Sequence, residues 1–470
     1  MTDSVGQVAM VGGGDDDGCV WAGAVRRPPP GKRGACLHAA LVQRPGSCIR
    51  RLAGDRARQM RFTRFLRNAS VTTAEMSAQA AARTAGCVAG REVVAIQDTT
   101  ELMLGGQRAR ANGFGPVGRG GATGGLLLHP VLAVEAATGA LLGLVDATVW
   151  NREGGKATAR RGRATAAKES RRWLDGAARA GAVLASSSSI TVVADRESDI
   201  YEQFVGRPAN VHLLIRAAQD RRIEAAADQP ALLFAFADAL PEQGRLALTI
   251  PAAPGRKARA AELAVRFSPV VLRKPRHGAA GDLPDTARLT LVDVREASRP
   301  AEGEPIHWRL LTTHAVESLG AARRVLDLYR RRWIIEEFFR TLKTAGFDIE
   351  AAEIGDPRAM SNFVAAATVA AVTVMQLVQA RDGTTGQRLE DAFDPADQPI
   401  LEALSAELEG KTARQKNPHA KHSLAFAAWT IGRLGGWDGY YGKPGPRVIS
   451  RGLHDFQRIK YGSALVLENV

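Results

Sequence analysis

The segment from Tyr329 to Lys343 places one acid among several cations and aromatic residues. Read as a single helix at about 100° per residue, it brings six side chains within an arc of roughly 100°: Tyr329, Arg332, Trp333, Glu336, Arg340 and Lys343. The opposite side collects apolar residues that a core would bury: Ile334, Ile335, Phe338, Phe339 and Leu342. A carboxylate beside arginine, lysine and aromatic side chains suits a metal ion next to a phosphodiester backbone.

Two further acids, Asp98 and Asp195, each follow a run of β-branched and other apolar residues. The carboxyl ends of such strands are where α/β sheets collect their chemistry. Together with Glu336, these acids could hold two divalent metal ions about 4 Å apart, the arrangement used in phosphoryl transfer. Oxygen ligands of this kind select Mg²⁺ or Mn²⁺ over zinc. Taken singly, each Asp could instead be a helix cap or turn residue, and Glu336 could be an ion-pair partner of Arg332 or Arg340.

The composition points to a polyanionic partner. The chain has 470 residues, 63 Lys and Arg against 49 Asp and Glu, and a net charge of +14. Nucleic acid is the first expectation and an anionic membrane surface the second. The cysteines lack paired C-x-x-C spacing, which favours a reducing, cytoplasmic setting over a zinc site or a disulfide framework: they are Cys19, Cys36, Cys48 and Cys87. We find neither a signal sequence nor an apolar run of about 18 residues, so no membrane span is expected.

The pattern along the chain predicts an α/β protein with helical ends. Residues 1–70 form a helical, arginine-rich, DNA-binding region whose first 30 or so residues are weakly patterned and expected to be flexible. Residues 71–385 form the catalytic domain, with an all-β insertion at about 206–313 and a helical stretch at about 156–185. Residues 386–470 form a helical region for dimerisation. Five strands are predicted in the insertion: Val211–Ala217, Arg245–Ile250, Glu262–Phe267, Arg288–Val294 and Trp308–Thr313.

The spacing Tyr329-x₂-Arg332-x₃-Glu336-x₆-Lys343 resembles the signature of the insertion-sequence-four family of DDE transposases, which includes the Tn-five transposase. The surroundings of the other two acids are similar to the family's first and second Asp motifs: Ile96-Gln97-Asp98-Thr99-Thr100 and Asp195-Arg196-Glu197-Ser198-Asp199-Ile200-Tyr201. Three further segments resemble the family in the same order along the chain: Arg64 to Asn68, Trp308 to Thr313 and, more loosely, Ile431 to Trp437. The likeness therefore covers roughly residues 55–460.

The resemblance implies an RNase H-like core with Asp98, Asp195 and Glu336 as ligands of Mg²⁺ or Mn²⁺, two ions per active site. It also implies a set of DNA contacts: Tyr329, Arg332, Trp333, Arg340, Lys343, Trp308 and Arg216. Trp308 would stack on a base flipped out at the cleaved end, although a core tryptophan is the alternative. The chain departs from the family pattern after Lys343, where Asp348, Glu350 and Glu353 make the segment acidic, and before about residue 45.

The expected function is cut-and-paste transposition of an insertion sequence, with DNA ends and target DNA as partners. Two alternatives stay open: a catalytically silent DNA-binding derivative, and an RNase H-like nuclease that does not join strands. Because two element ends must be processed together, we expect a homodimer on DNA. Its interface is predicted in the helical stretch after about residue 420, for which packing on the chain's own core is the alternative: Leu424, Phe426, Ala428, Trp429, Ile431 and Leu434.

Overall fold

A computed structural model gives the fold of most of the chain. It describes residues 37–38, 40–41, 48–105, 107–152, 169–250, 258–276, 282–300, 303–440 and 442–467. The predicted flexibility of the first 30 or so residues concerns positions outside this part of the chain, as do Cys19 and Cys36. Cys48 and Cys87, which lie inside it, are free thiols.

An 11-stranded sheet forms the centre of the protein. Its strands are β1 (Glu92–Gln97), β2 (Thr100–Met103), β3 (Gly115–Val117), β4 (Thr123–Glu135), β5 (Leu141–Trp150), β6 (Ser189–Ala194), β7 (Val211–Arg216), β8 (Gly244–Ile250), β9 (Arg259–Arg273), β10 (Thr286–Glu296) and β11 (His307–Thr312). They run in the order β2-β4-β1-β6-β7-β11-β10-β9-β8, with β3 and β5 also paired to β4. This mixed sheet with helices confirms the α/β class.

The part of the sheet that carries the acids runs β5-β4-β1-β6-β7. Strand β4 is antiparallel to β5 and β1, whereas β1, β6 and β7 are parallel to one another. This arrangement is consistent with an RNase H-like core. Val93, Val94 and Ile96 of β1 are fully buried, as expected for a strand covered on both faces. Because parallel strands end at one edge, the residues that follow β1 and β6 meet there.

Strands β8 to β11 extend the sheet beyond β7 through antiparallel pairs. All five strands predicted between residues 206 and 313 are present, with ends shifted by a few residues. The description of this segment as all-β needs a correction, because it also contains the helix Leu233–Ala239. Leu233, Phe236 and Ala237 are buried on one side of that helix, at the i, i+3, i+4 spacing that predicts a helix.

Helices cover the sheet and form both ends of the described chain. They are α1 (Ile49–Ala53), α2 (Arg56–Leu66), α3 (Thr73–Cys87), α4 (Gln107–Ala111), α5 (Arg171–Val183), α6 (Tyr201–Val205), α7 (Leu233–Ala239), α8 (Leu319–Arg330), α9 (Trp333–Arg340), α10 (Pro357–Ala380), α11 (Gln398–Leu408), α12 (Leu424–Leu434) and α13 (Pro446–Leu467). The helix predicted at about 156–185 is present from Arg171, and residues 153–168 lie outside the described part.

Helix α10 is the central core helix. Contrary to the sequence expectation, it is long and apolar enough to cross a membrane by length and composition, but 83% of its 18-residue apolar window is buried inside the protein. Asn362 on this helix donates hydrogen bonds to the backbone oxygens of Leu66 and Val71, at 2.9 and 3.1 Å. The N-terminal helices therefore share a core with the helix that follows the Tyr329–Lys343 segment. The domain boundaries at residues 70 and 385 stay a prediction.

Helix α12 also belongs to this core. Leu424, Ala428 and Ile431 are fully buried, and Trp429 is 3% exposed, in contacts with α10, α11 and α13 of the same chain. The apolar spacing that suggested a dimer interface is thus explained by packing within the chain. A dimer interface cannot be placed on these side chains in this conformation.

Candidate active site

Asp98 and Asp195 lie side by side at the carboxyl edge of the sheet. Strands β1 and β6 are paired in parallel with Ile96 opposite Val193, and two residues further along each strand stand the two acids. Each strand is a short run of buried apolar residues, and each acid is the first residue after it. The pairing of the two strands therefore brings both acids to one edge of the sheet, while their role as metal ligands stays a prediction.

Burial and neighbouring acids set the charge of Asp98. Burial raises the pKa of its carboxyl from 3.8 to about 6, and the nearby carboxylates of Asp195 and Glu197 add to this rise. The hydrogen bond from the Thr99 backbone N–H, at 2.7 Å, and the Arg332 guanidinium act in the opposite direction. The Oδ1 atom of Asp195 is buried and has no hydrogen-bond partner among the described residues. Two acids that repel each other and leave an oxygen unpartnered would gain from a shared cation.

The raised pKa of Asp98 predicts a pH-dependent stability for the protein in EDTA. Between pH of about 4 and about 6 the folded state binds more protons at Asp98 than the unfolded chain, so stability falls as the pH rises through this window, by about 3 kcal/mol at most. Asp98→Asn should remove this loss. The melting temperature of the variant minus that of the wild type should therefore grow from about pH 4 to about pH 6, because the wild type loses stability as the pH rises toward the raised pKa of Asp98. A constant difference across this range would contradict the assignment.

The segment that carries Glu336 is not the single regular helix that the spacing suggested. Helix α8 ends at Arg330, and the amides of Ile334 and Ile335 bond back three residues, to Arg331 and Arg332, in a 3₁₀-like turn. Helix α9 then runs from Trp333 to Arg340 and continues as a π-helical turn over Thr341–Ala345. Changes of helical pitch rotate the side chains that follow, so positions on one face of an ideal helix separate.

The two faces of the predicted helix are therefore only partly as expected. Trp333 is 45% exposed, and Glu336 and Arg340 are exposed as well. Ile335, Phe338 and Leu342 are fully buried, as predicted. Tyr329 and Arg332 are exceptions, because they are 2% and 8% exposed and lie in the buried interior instead of on the exposed face.

Arg332 joins Glu336 to the other acids. Its Nη2 donates to Glu336 Oε1 at 2.7 Å, and its Nη1 lies 3.5 Å from Asp98 Oδ2. Burial alone would lower the pKa of this guanidinium, but Tyr329, Glu336 and Asp195 outweigh burial and raise it. The pairing with Glu336 was the alternative expected from sequence; the link to Asp98, 234 residues away, was not. Arg332 is thus the cation shared by the acids of the β1 and α9 segments.

The carboxylates fit a divalent cation in part. Among the residues that the structure describes, no three His, Cys, Asp or Glu side chains lie close enough to hold one metal ion together. Asp98 and Asp195 offer adjacent carboxylates, one with a buried unpartnered oxygen, and an all-oxygen donor set suits Mg²⁺ or Mn²⁺. Glu336 could join them by exchanging its bond to Arg332 for a bond to a metal ion.

Lys343 is held by protein groups. Its Nζ donates to the backbone oxygen of Glu101 at 2.6 Å and lies 3.4 Å from Glu350 Oε1, which also accepts from the Met103 backbone N–H at 3.0 Å. The acidic segment after Lys343, seen in the sequence as a departure from the family, thus supplies a carboxylate that neutralises this lysine. Arg340 is likewise paired with Glu337.

This contact predicts that Glu350 weakens DNA binding. Glu350→Gln keeps an oxygen that can accept from Met103 but leaves Lys343 without its counter-charge. DNA-end affinity should rise by roughly threefold to tenfold at low salt, and the slope of log affinity against log salt should steepen by up to about one unit. Glu353→Gln is the matched control, since Glu353 is exposed three residues away. Equal effects of the two changes in a gel-shift titration would contradict a specific role for Glu350.

Arg216 and Trp308, the remaining predicted DNA contacts, line a cleft that also includes Glu336. The cleft has a volume of about 950 Å³, and its walls include Arg196, Arg216, Trp308, Tyr329, Trp333 and Glu336. Arg216 Nη2 donates to the His307 backbone oxygen at 3.0 Å. Trp308 is 8% exposed, and its ring contacts Tyr329 edge to face with centroids 5.6 Å apart. In this conformation Trp308 is a core residue at the wall of the cleft.

Sequence reasoning missed two residues at this edge. Glu197 acts on the charge of Asp98 and is bound by Arg172, with 3.0 Å between Arg172 Nη2 and Glu197 Oε2. Glu197 was visible in the second Asp motif, two residues after Asp195. Arg172 lies at the start of α5 in an arginine-rich segment, and no local signal separates it from its neighbours.

The chain was compared with models of known protein families. The model of the transposase DDE domain matches residues 137–372, half of the chain. The matched range includes Asp195 and the whole segment from Tyr329 to Lys343, whereas Asp98 precedes it.

Proposed function

The chain belongs to the transposase DDE domain family, and we propose that it catalyses cut-and-paste transposition in the manner of the insertion-sequence-four group. The observation that carries the proposal is the placement of the acids. Asp98 and Asp195 end adjacent parallel strands, and Glu336 reaches Asp98 through Arg332. The net charge of +14 suits a DNA partner.

In this proposal Asp98, Asp195 and Glu336 hold Mg²⁺ or Mn²⁺, two ions per active site. Bound divalent ions supply Lewis acidity toward the oxygens of the scissile phosphate. The protein's part is to keep two carboxylates adjacent on a rigid sheet edge and to bring the third from α9. Arg332 would keep the acids neutralised in the absence of DNA and turn to phosphate when DNA binds.

The remaining predicted residues would bind the DNA end. Arg332, Arg340 and Lys343 suit phosphate contacts, and each now has an acidic partner to exchange for phosphate. Trp333, exposed beside Glu336, suits a contact with the DNA surface. Tyr329, Trp308 and Arg216 line the cleft, which would take a flipped base only if Trp308 turned away from Tyr329.

The reaction would proceed by two kinds of phosphoryl transfer. Water would attack the scissile phosphodiester, forming one P–O bond and breaking the bond to the 3′ oxygen, which leaves as a hydroxyl. That 3′-hydroxyl would then attack a second phosphodiester, on the opposite strand or in the target, and displace its 3′ oxygen. Because the described part of each chain offers one such site and two element ends must be processed, the proposal includes a homodimer on DNA, in the cytoplasm.

The test is to incubate the purified protein and Mg²⁺ with the DNA that flanks its own gene and to sequence the products. Precise cuts at both element ends, followed by insertion into a target plasmid, are the expected result. Cuts without joined products would support the nuclease alternative. Binding to the ends without any cut would support a catalytically silent derivative.

A further inference from the structure

A chain of buried polar side chains runs through the core to the turn that carries Asp98. Gln97 and His129 are 0% and 1% exposed. Gln97 Nε2 donates to the Trp173 backbone oxygen at 3.3 Å, and its Oε1 lies 3.2 Å from His129 Nε2. His129 Nδ1 lies 2.9 Å from Thr99 Oγ1, to which Arg172 Nε donates at 2.8 Å. We call these residues, with Glu197, the Arg172 network.

The direction of each hydrogen bond in the network can be assigned. An amide oxygen only accepts, so His129 Nε2 must carry the proton that it shares with Gln97. Burial, helped by Arg172, lowers the pKa of His129 to about 3, so the ring is neutral and its Nδ1 accepts. The Thr99 hydroxyl therefore donates to His129 and accepts from Arg172. Every member is satisfied, and the hydroxyl of Thr99 is held in one orientation.

Arg172 is itself held rigidly. Its guanidinium lies over the rings of Trp150 and Trp173, 5.5 and 5.3 Å from their centroids. The side chain is 13% exposed, and Nη2 reaches Glu197 Oε2 at 3.0 Å. Cation–π contacts with two rings, together with the hydrogen bonds to Thr99 and Glu197, restrict the rotation of the guanidinium.

Close packing of α5 on β1 makes the network possible. A Cβ atom at Gly176 would lie 2.3 Å from Gln97 Oε1. A larger residue at this position would therefore push the Gln97 amide out of its place between His129 and the Trp173 oxygen. The spacing between α5 and the sheet edge is thus built into the sequence.

We propose that Arg172 is a positioning residue that fixes the Asp98 turn relative to the Asp195 turn. Its Nε donates to the hydroxyl of Thr99, whose backbone N–H donates to Asp98. Its Nη2 donates to Glu197, two residues after Asp195. Arg172 thus connects the ends of two parallel strands through the neighbours of both acids. The inference rests on the proposed function, because its consequence is a defined distance between two metal-binding carboxylates.

The first test measures metal binding without DNA, by Mn²⁺ electron paramagnetic resonance on the full chain. Arg172→Gln should weaken Mn²⁺ binding by about tenfold or more, the effect known for lost outer-shell partners of metal ligands. Arg171→Gln is the matched control, since Arg171 is the next residue on α5, is exposed and pairs with Asp175. Equal Mn²⁺ affinities of the Arg172→Gln and Arg171→Gln variants would overturn the proposal.

The second test follows the geometry of the fork. A lysine at this position keeps the charge but cannot bind Thr99 and Glu197 at once, so Arg172→Lys should recover less than half of the lost Mn²⁺ affinity on a logarithmic scale. Thr99→Val should weaken Mn²⁺ binding as well. The double variant Thr99→Val with Arg172→Gln should bind Mn²⁺ as tightly as Arg172→Gln alone, because both substitutions break the same network. Full recovery in Arg172→Lys, or additive losses in the double variant, would contradict the network.

Cleavage assays separate this proposal from the proposed function. If the wild type cuts DNA ends, Arg172→Gln should lower the single-turnover rate at saturating DNA and leave the DNA-end Kd unchanged. If the wild type binds Mn²⁺ but cuts no DNA, the proposed function fails while a Mn²⁺ defect confined to Arg172→Gln still supports the positioning role. A variant that loses cleavage only in proportion to lost folded protein, measured by circular dichroism, would reduce Arg172 to a structural residue.

Discussion

Replacing Asp98, Asp195 or Glu336 by the matching amide should lower the rate of DNA-end cleavage by on the order of a thousandfold while DNA binding persists. In the proposed function, each change would remove a charged metal ligand from the site at which negative charge builds on the phosphate. A loss of about 4 kcal/mol of transition-state stabilisation corresponds to about three powers of ten in rate. End binding should be unchanged or tighter, because a negative charge near the phosphate backbone has been removed.

The three amide variants should differ in a way that the structure predicts. Asp98→Asn removes a buried charge and should raise the free energy of unfolding at neutral pH. Glu336→Gln should change the free energy of unfolding little, because the Glu336 side chain is 46% exposed. Glu407→Gln is the control, since Glu407 is exposed on α11 and distant in sequence from all three acids. Single-turnover cleavage and gel-shift titrations on the same preparations make the comparison. A single amide variant that cuts DNA at nearly the wild-type rate would remove that residue from the site.

The second large effect is expected at the N-terminal helices. Seven arginines of α1, α2 and their flanks are exposed, and among the described residues none forms an ion pair: Arg50, Arg51, Arg56, Arg58, Arg61, Arg64 and Arg67. Asp55, which caps α2, is the acid within this stretch. So dense an unneutralised positive surface is costly unless a polyanion covers it. We expect it to bind the DNA backbone.

Arg61 and Arg64 lie on α2, and Arg67 caps its C-terminus. The three residues follow one another at spacings of three, so the triple change to glutamine removes a strip of charge along one side of the helix. Three phosphate contacts at about 1 kcal/mol each correspond to an affinity loss on the order of a hundredfold. The slope of log affinity against log salt should fall by about 0.9 per lost contact. Cleavage at saturating DNA should be preserved, since these residues are not part of the site.

The control for the triple change is a second triple variant that loses the same charge from a different helix, α13. Arg447, Arg451 and Arg458 are exposed on α13, and their change to glutamine should alter the salt slope far less. Identical slopes for the two triple variants, measured by fluorescence anisotropy from low to moderate salt, would mean that only net charge matters. That outcome would remove the DNA-binding role from α2.

The placement of Asp98 and Asp195 could be predicted because it depends on local patterns. A short buried strand followed by an acid occurs twice, and parallel pairing of two such strands is enough to bring the acids together. The segment around Tyr329 shows the limit of this reasoning. Its exposed face was derived from an ideal helical pitch, but the 3₁₀-like turn at Arg331 and the π-helical turn after Arg340 change that pitch. Tyr329, which precedes both turns, is buried in the core.

Contacts between distant segments were the other limit. Lys343 is bound by Glu101 across 242 residues of sequence, and Arg332 reaches Asp98 across 234. The spacing of residues along the chain does not predict such long-range partners. The same holds for α12, whose apolar residues fit an interface or a core equally well until α10, α11 and α13 are seen to cover them.

The central claim is that Asp98, Asp195 and Glu336 form one metal site, and anomalous scattering from Mn²⁺ in crystals of the protein bound to an element end tests it most directly. We predict Mn²⁺ peaks bound by the carboxylates of Asp98 and Asp195, with Glu336 joined to the same ions and Arg332 moved from Glu336 to a phosphate. Mn²⁺ bound away from Asp98 and Asp195, or Arg332 still bridging Asp98 and Glu336 beside a correctly placed DNA end, would contradict the account.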